Sequence, residues 1–342
     1  MSETKFRKTY IIAEAGVNHN GSLQIAVQLI EEAKKAGADC IKFQTFKASQ
    51  IVTKNSPKAK YQLDVTDKNE NQFDMLKKLE LDFSSYKILI EQCNKNKIDF
   101  LSTPYNNEDV DFLLNLGVNA FKIASGQLTE IPFLKYVASK KKTMIISTGM
   151  ATLADVFCAV EAIRSVGNVD IIVLQCTTNY PSRIEDANLL AMNSMKKACK
   201  VRIGYSDHTI NNFACLASVA LGAEIIEKHF TLDKKFDGPD HSSSLTTEEF
   251  KELVFGIREV EKSLGNGLKK PSEIEIENSF GMKRSLVLLK DVEEDEILNI
   301  EKIGFKRPAN GLAVNLLDLV IGKKTSKKMY KDEPLQYNSI KW

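Results

Sequence analysis

Eight times between residues 10 and 265 a short apolar run gives way to a stretch whose apolar residues recur every three or four positions. Uninterrupted apolar runs mark strands buried on both faces, as parallel sheets require. The three-to-four recurrence marks helices with one buried face. The runs are YIIAEAG, CIKFQTF, DFLSTPY, AFKIASG, TMIISTGM, DIIVLQCTT, VRIGYSD and EIIEKHF, and SLQIAVQLIEEAKKAGA and TTEEFKELVFGIREVEKSLG are the first and last of the helical stretches. Eight such pairs in succession predict an α/β fold, a closed (β/α)8 TIM barrel over residues 1–266. An open doubly wound sheet would show GxGxxG after its first strand, and EAGVNHNG does not match it. Residues 47–72 form a polar insertion too long for a turn, and so a candidate active-site loop.

The pattern changes after residue 266. GLKKPSEIEIENSF is polar and reads as a linker over 267–282. Residues 283–342 break into short strand-like runs between turns, which predicts a separate small β-rich domain with a core too small to be strongly stable alone.

Charge adds exclusions. Lysine plus arginine number 47 and aspartate plus glutamate 45, a net +2. That balance supports neither a nucleic-acid partner nor a membrane surface. No run reaches the roughly 20 apolar residues of a membrane span. The six cysteines are scattered without CxxC spacing, so they read as reduced core residues of a soluble, cytoplasmic protein.

In a barrel the chemistry gathers at the carboxyl ends of the strands. Polar residues collect there: Glu14, Asn18 and His19 at the first; Lys42 and Gln44 at the second; Lys122, Ser125 and Gln127 at the fourth; Ser147 at the fifth. Thr178 and Tyr180 follow the sixth, Ser206 and His208 close the seventh, and Glu227 and His229 close the eighth, with Asp240 just beyond. A lysine inside a buried strand is unusual unless its charge is paired. Lys42 and Lys122 with nearby hydroxyls make a clamp for phosphate or carboxylate; each could instead simply pair with an internal glutamate such as Glu14 or Glu227. His208 and His229 are two of only four histidines and hold equivalent places in adjacent units. They read as a metal pair, leaving coordination open for water and substrate. For His19 and His241, loop capping or substrate contact is the expectation.

With these residues assembled, the sequence resembles the sialic acid synthase family, the bacterial nonulosonic acid synthases. The resemblance spans nearly the whole chain and is carried by AEAGVNHNGS, IKFQTFKA, FLSTP, FKIASG, IISTGMAT, CTTNYP, GYSDHT, IEKHFTLDK, GPDH and FKRPANG. It implies a (β/α)8 barrel followed by an antifreeze-like (SAF) domain, and condensation of phosphoenolpyruvate with an N-acylated mannose-type sugar. It implies a divalent metal, Mn2+ or Mg2+, on His208 and His229. Lys42, Lys122, Ser125, Ser147 and Ser206 match the phosphoenolpyruvate-holding set; Thr178, Tyr180 and Gln44 match substrate contacts. Glu14 and Asp240 match acidic residues that handle water and sugar. Arg307 matches an arginine reaching the partner's barrel in a domain-swapped homodimer. The NHNG and GPDH forms resemble N-acetylneuraminate or legionaminate synthases. N-acetylmannosamine is the first expected acceptor and 2,4-diacetamido-2,4,6-trideoxymannose the second. Two departures stand out: Gln127 where many relatives carry glutamate, and Gln175 where they carry histidine. A sugar-phosphate aldolase, a 3-deoxy-aldulosonate synthase or a polysaccharide-binding protein would be the alternatives of other kinds.

Overall fold

The computed structural model describes residues 8–342, and the chain divides after Asn266 into two compact units. The first is a barrel of eight parallel strands: β1 (Tyr10–Gly16), β2 (Cys40–Thr45), β3 (Asp99–Pro104), β4 (Ala120–Ile123), β5 (Thr143–Ser147), β6 (Ile171–Cys176), β7 (Arg202–Asp207) and β8 (Ile225–His229). Their order, β3-β2-β1-β8-β7-β6-β5-β4, brings the first strand against the last. The ladder is continuous except between β3 and β4, which lie side by side.

The strands are apolar on both faces because each face has its own core. Outward residues such as Ile11, Phe43, Phe121 and Ile203 pack under the helices. Inward residues at the strand starts, among them Ile12, Cys40, Leu101, Ile145, Ile172 and Ile225, fill the lower barrel. Side chains alternate along a strand, so two residues farther on the inward set becomes Glu14, Lys42, Thr103, Ser147, Leu174 and Glu227. The upper layer of the same core is therefore mostly polar. Helix starts are specified locally: Ser22 Oγ accepts from Ile25 N, and Thr152 and Thr246 form capping boxes with Asp155 and Glu249.

The insertion after β2 folds as three short helices, Ala48–Ile51, Lys60–Val65 and Gln72–Lys78. Lys58 ties it together, donating to Thr66 Oγ1 (2.9 Å), the Asp67 carbonyl (2.8 Å) and Glu70 (3.2 Å).

The second unit begins differently from the linker expected over 267–282. Glu273–Met282 is a helix, started by a capping box between Ser272 and Glu275. Beyond it Ser285–Leu288 pairs antiparallel with Ile303–Lys306, and Lys324–Thr325 with Ile340–Lys341. Leu286, Leu288, Val292, Leu298 and Leu335 lie in its core.

Candidate active site

A cavity of about 410 Å3 opens at the carboxyl ends of the strands. Apart from His19 and His241, it brings together the barrel's catalytic, substrate and metal candidates, from Glu14 on β1 to Asp240 after β8. Arg307 is not among them; it is exposed on the second unit. His19 and His241 do not line the cavity either. The Gly21 N–H donates to His19 Nδ1, and His241 lies 2.7 Å from Thr231 Oγ1 and 3.2 Å from Asn20 Oδ1, both loop-capping arrangements. A second cavity, about 500 Å3, opens at the strand starts beside Tyr10, Asp99 and Arg202. That end of a barrel serves stability rather than chemistry.

The floor of the upper cavity is an alternating quartet of charges. Lys42 Nζ lies 2.7 Å from Glu14 Oε2 and 3.9 Å from Glu227 Oε1, and Lys122 Nζ lies 3.4 Å from the same Glu227 oxygen. Both inward lysines are thus paired with internal glutamates, the plainer of the two expectations, and both also face the cavity. Burial, only partly offset by Lys42, pushes the Glu14 carboxyl up to about 7. Burial also pulls the Lys122 ammonium below its ordinary value. For Glu227 burial acts upward, but Lys122, Lys42 and the Ser206 hydroxyl outweigh it and hold the carboxyl low; Ser206 Oγ donates to it at 3.0 Å. Gln44 is oriented by donating to Glu14 (3.5 Å) and accepting from Tyr105 Oη (3.1 Å).

Polar atoms without partners point to a ligand. Buried side-chain polar groups are nearly always hydrogen-bonded. Yet Gln127 Oε1, Ser147 Oγ, Thr178 Oγ1, Glu227 Oε2 and His229 Nδ1 are buried with no hydrogen-bond partner among the described residues, and all five residues line this one cavity. Space for them is kept by Gly149, where a Cβ would stand 2.0 Å from Thr178 Oγ1 and 2.9 Å from Ser125 Oγ. Ser125 Oγ instead accepts from Gly149 N at 2.9 Å.

His208 and His229 face each other with ring centroids 5.3 Å apart. His208 Nδ1 donates to the Thr177 carbonyl at 2.7 Å, so the ring's other nitrogen is its free one. Burial, reinforced by His208, holds His229 well below its ordinary pKa and hence neutral. Asp240 Oδ2 lies 3.9 Å from His229 Nδ1, and burial pushes its carboxyl up to about 6. Among the described residues no three histidine, cysteine or acidic side chains are gathered into a ready-made metal cage.

Sequence reasoning named Tyr180 in the wall above the histidines but missed Tyr61. Tyr180 lies against His208 (centroids 4.1 Å), and Tyr61, from the insertion, lies against Tyr180 (4.9 Å). Tyr61 sits in a polar stretch with no periodicity, so its facing gave no signal.

The barrel and its polar mouth define an enzyme built to hold an anionic substrate above paired lysines and glutamates. A model of the NeuB family matches residues 29–269, and one of the SAF domain matches residues 283–341. The chain is 46% identical to the N,N'-diacetyllegionaminic acid synthase of Campylobacter jejuni over 329 residues, 96% of this chain and 98% of that protein. It is 41% identical to the N,N'-diacetyllegionaminic acid synthase of Legionella pneumophila, over 97% of this chain and 94% of that protein. Among solved structures, the N-acetylneuraminic acid synthetase of Leptospira borgpetersenii superposes with a TM-score of 0.72 at 32% identity, covering 81% of this chain and 94% of that one. The chain belongs to the NeuB family of sialic-acid-synthase-like, phosphoenolpyruvate-dependent condensing enzymes.

Proposed function

We propose that this enzyme joins phosphoenolpyruvate to 2,4-diacetamido-2,4,6-trideoxymannose, giving N,N'-diacetyllegionaminate and phosphate. The convergence of unpartnered buried polar atoms on a cavity floored by two lysines carries the condensation. The choice of sugar is supported by the two legionaminic acid synthases, which resemble the chain at 46% and 41% identity over almost its full length. It moves the weight away from N-acetylmannosamine, the acceptor expected first from the sequence.

Gln127 suits the N-acyl group that either acceptor carries. Its Nε2 donates to the Tyr105 carbonyl at 3.1 Å, which leaves Oε1 as a fixed, uncharged acceptor. Tyr105 packs against the apolar cluster of the insertion, with Ile51, Met75 and Leu76, and these three also line the cavity. An acceptor beside an apolar wall suits an acetamido group, whose N–H donates and whose methyl is apolar.

In this reading Lys42 and Lys122, with the Ser147, Ser206 and Thr178 hydroxyls, hold the carboxylate and phosphate of phosphoenolpyruvate. Its methylene carbon attacks the open-chain aldehyde carbon. Glu14 takes a proton from the water that adds to the phosphate-bearing carbon, and that proton passes to the former aldehyde oxygen. The C–O bond to phosphate then breaks as the added hydroxyl gives its proton to the departing phosphate and becomes the ketone. The donor types suit a divalent metal, though not as a ready-made cage. His229 is held neutral, and the Asp240 carboxyl stands beside it. His208, whose pKa is raised against burial by Cys176 and the Thr177 carbonyl, would bind through Nε2 once deprotonated. When bound by these residues, Mn2+ or Mg2+ would supply Lewis-acid polarisation of the aldehyde. Tyr180 packs on both imidazoles and fixes their facing.

The test is phosphate release from phosphoenolpyruvate, with Mn2+ and with chelator, across three acceptors: N-acetylmannosamine, its 6-phosphate, and 2,4-diacetamido-2,4,6-trideoxymannose. The third is expected to give the highest kcat/KM, and chelator to abolish release. Preference for N-acetylmannosamine overturns the sugar; release with none overturns the proposed reaction.

A further inference from the structure

Behind the cavity wall lies a buried ion pair that the reaction does not touch. Lys228 Nζ is 2.6 Å from Asp207 Oδ2, and both residues are 1% exposed. They are register partners on β8 and β7. Because side chains alternate along a strand, they point outward while Ser206, Glu227, His208 and His229 line the cavity. Each member of the pair therefore adjoins one of the two histidines in sequence.

The network is saturated. The three ammonium protons of Lys228 have three acceptors: Asp207 Oδ2, the Thr209 carbonyl and, at 3.0 Å, the Asn211 carbonyl. Asp207 Oδ1 accepts from Tyr205 Oη and from Thr209 N, each at 2.9 Å. Its Oδ2 also accepts from Thr209 Oγ1 (3.1 Å) and Cys215 Sγ (3.2 Å). The bond from Thr209 N closes an Asx turn whose middle residue is His208. One ammonium group thus holds the chain on both sides of His208, from the residue next to His229.

Stability alone does not call for such a pair, since apolar residues of equal volume in its place often cost nothing. Its placement has a different consequence. We infer that Lys228 and Asp207 are positioning residues for the histidine pair, setting the separation and facing of His208 and His229 and thereby the affinity for a divalent cation. The inference rests on the reading of those histidines as metal ligands.

Lys228→Met keeps the length of the side chain and removes its three donors. Leaving Asp207 without its cation lowers the unfolding temperature, and the four donors Asp207 retains are expected to keep the fold. Arg202→Met is the control. Arg202 pairs with Glu224 at 2.8 Å at the opposite end of the same strands. Mn2+ affinity is read by titrating free Mn2+ by electron paramagnetic resonance, without substrate, alongside thermal unfolding and kcat at saturating Mn2+. Lys228→Met should weaken Mn2+ binding by about 10- to 100-fold, the usual effect of losing a group that orients metal ligands. Its kcat in excess Mn2+ should return to within a few-fold of wild type. Arg202→Met should lower the unfolding temperature and leave Mn2+ affinity as it was. Unchanged Mn2+ affinity in Lys228→Met, with wild type binding normally, overturns the inference alone. A wild type that binds no Mn2+ overturns the ligand reading and the inference with it. If Lys228→Met does not fold, Thr209→Val, which removes one donor from Asp207, replaces it; several-fold weaker binding supports the inference and unchanged binding overturns it.

Discussion

Two carboxyl groups and two ammonium groups, buried and linked in a chain by contacts under 4 Å, make the protonation of Glu14 the variable on which this cavity turns. At about 7 its carboxyl titrates in the working range. A base acts only when ionised, so kcat/KM for phosphoenolpyruvate should rise as pH passes upward through about 7. Glu14→Gln should lower kcat by about 100- to 10,000-fold and erase that rising limb in a profile from pH 5.5 to 9; a limb that survives belongs to another group. How much of this could be read beforehand differs from residue to residue. Lys42 and Lys122 were legible because a charge inside an apolar run demands a partner. Which glutamate met which lysine was not, for it depends on neighbours across three strands. Lys228, in the EIIEKHF run, demanded a partner by the same rule and was not singled out. Nothing in Glu-Lys-His says that the first and third residues face in and the middle one out, until β8 is placed against β1 and β7.

At the scale of elements, the eight strands were visible because strands buried on both faces read as continuous apolar runs. Their closure was not written in any one run. It lies in the pairing of Tyr10 to Glu14 with Ile225 to His229, segments over 200 residues apart. The insertion after β2 showed itself by length and polarity, but its helices of 4, 6 and 7 residues are too short to display a period. Tyr61 emerges from the second of these and lies on Tyr180, the ring that packs both histidines. An aromatic pair of this kind contributes about 0.5–1.5 kcal/mol beyond area burial. Tyr61→Ala should therefore raise the KM for the sugar by about 2- to 10-fold, with kcat little changed. Tyr61→Phe should behave like wild type, because the ring and not the hydroxyl makes the contact. Steady-state kinetics with the sugar varied separates the two, and an unchanged KM in Tyr61→Ala would remove the insertion from the substrate site.

For the whole molecule the open matter is what the second unit does for the barrel. The shift from strand–helix alternation to short broken runs after residue 266 gave that unit away, while the capped helix Glu273–Met282 was masked by its polarity and has no buried residue. Arg307 lies on its surface, exposed, between the strand Ile303–Lys306 and Pro308. The family resemblance implies that this arginine completes the barrel of a second copy, and mixing two inactive proteins tests that. Lys122→Met disables the barrel and leaves Arg307; Arg307→Ala does the reverse. In a mixed dimer with the arginine acting across subunits, the intact barrel of one copy meets the intact Arg307 of the other, so one site of two is whole. Random pairing makes half the dimers mixed, so activity should recover to about a quarter of wild type. If the arginine serves its own barrel, every site in the mixture keeps a defect and no activity returns. Unfolding and refolding the two variants together, with exchange verified by mass-tagged subunits, makes either result decisive.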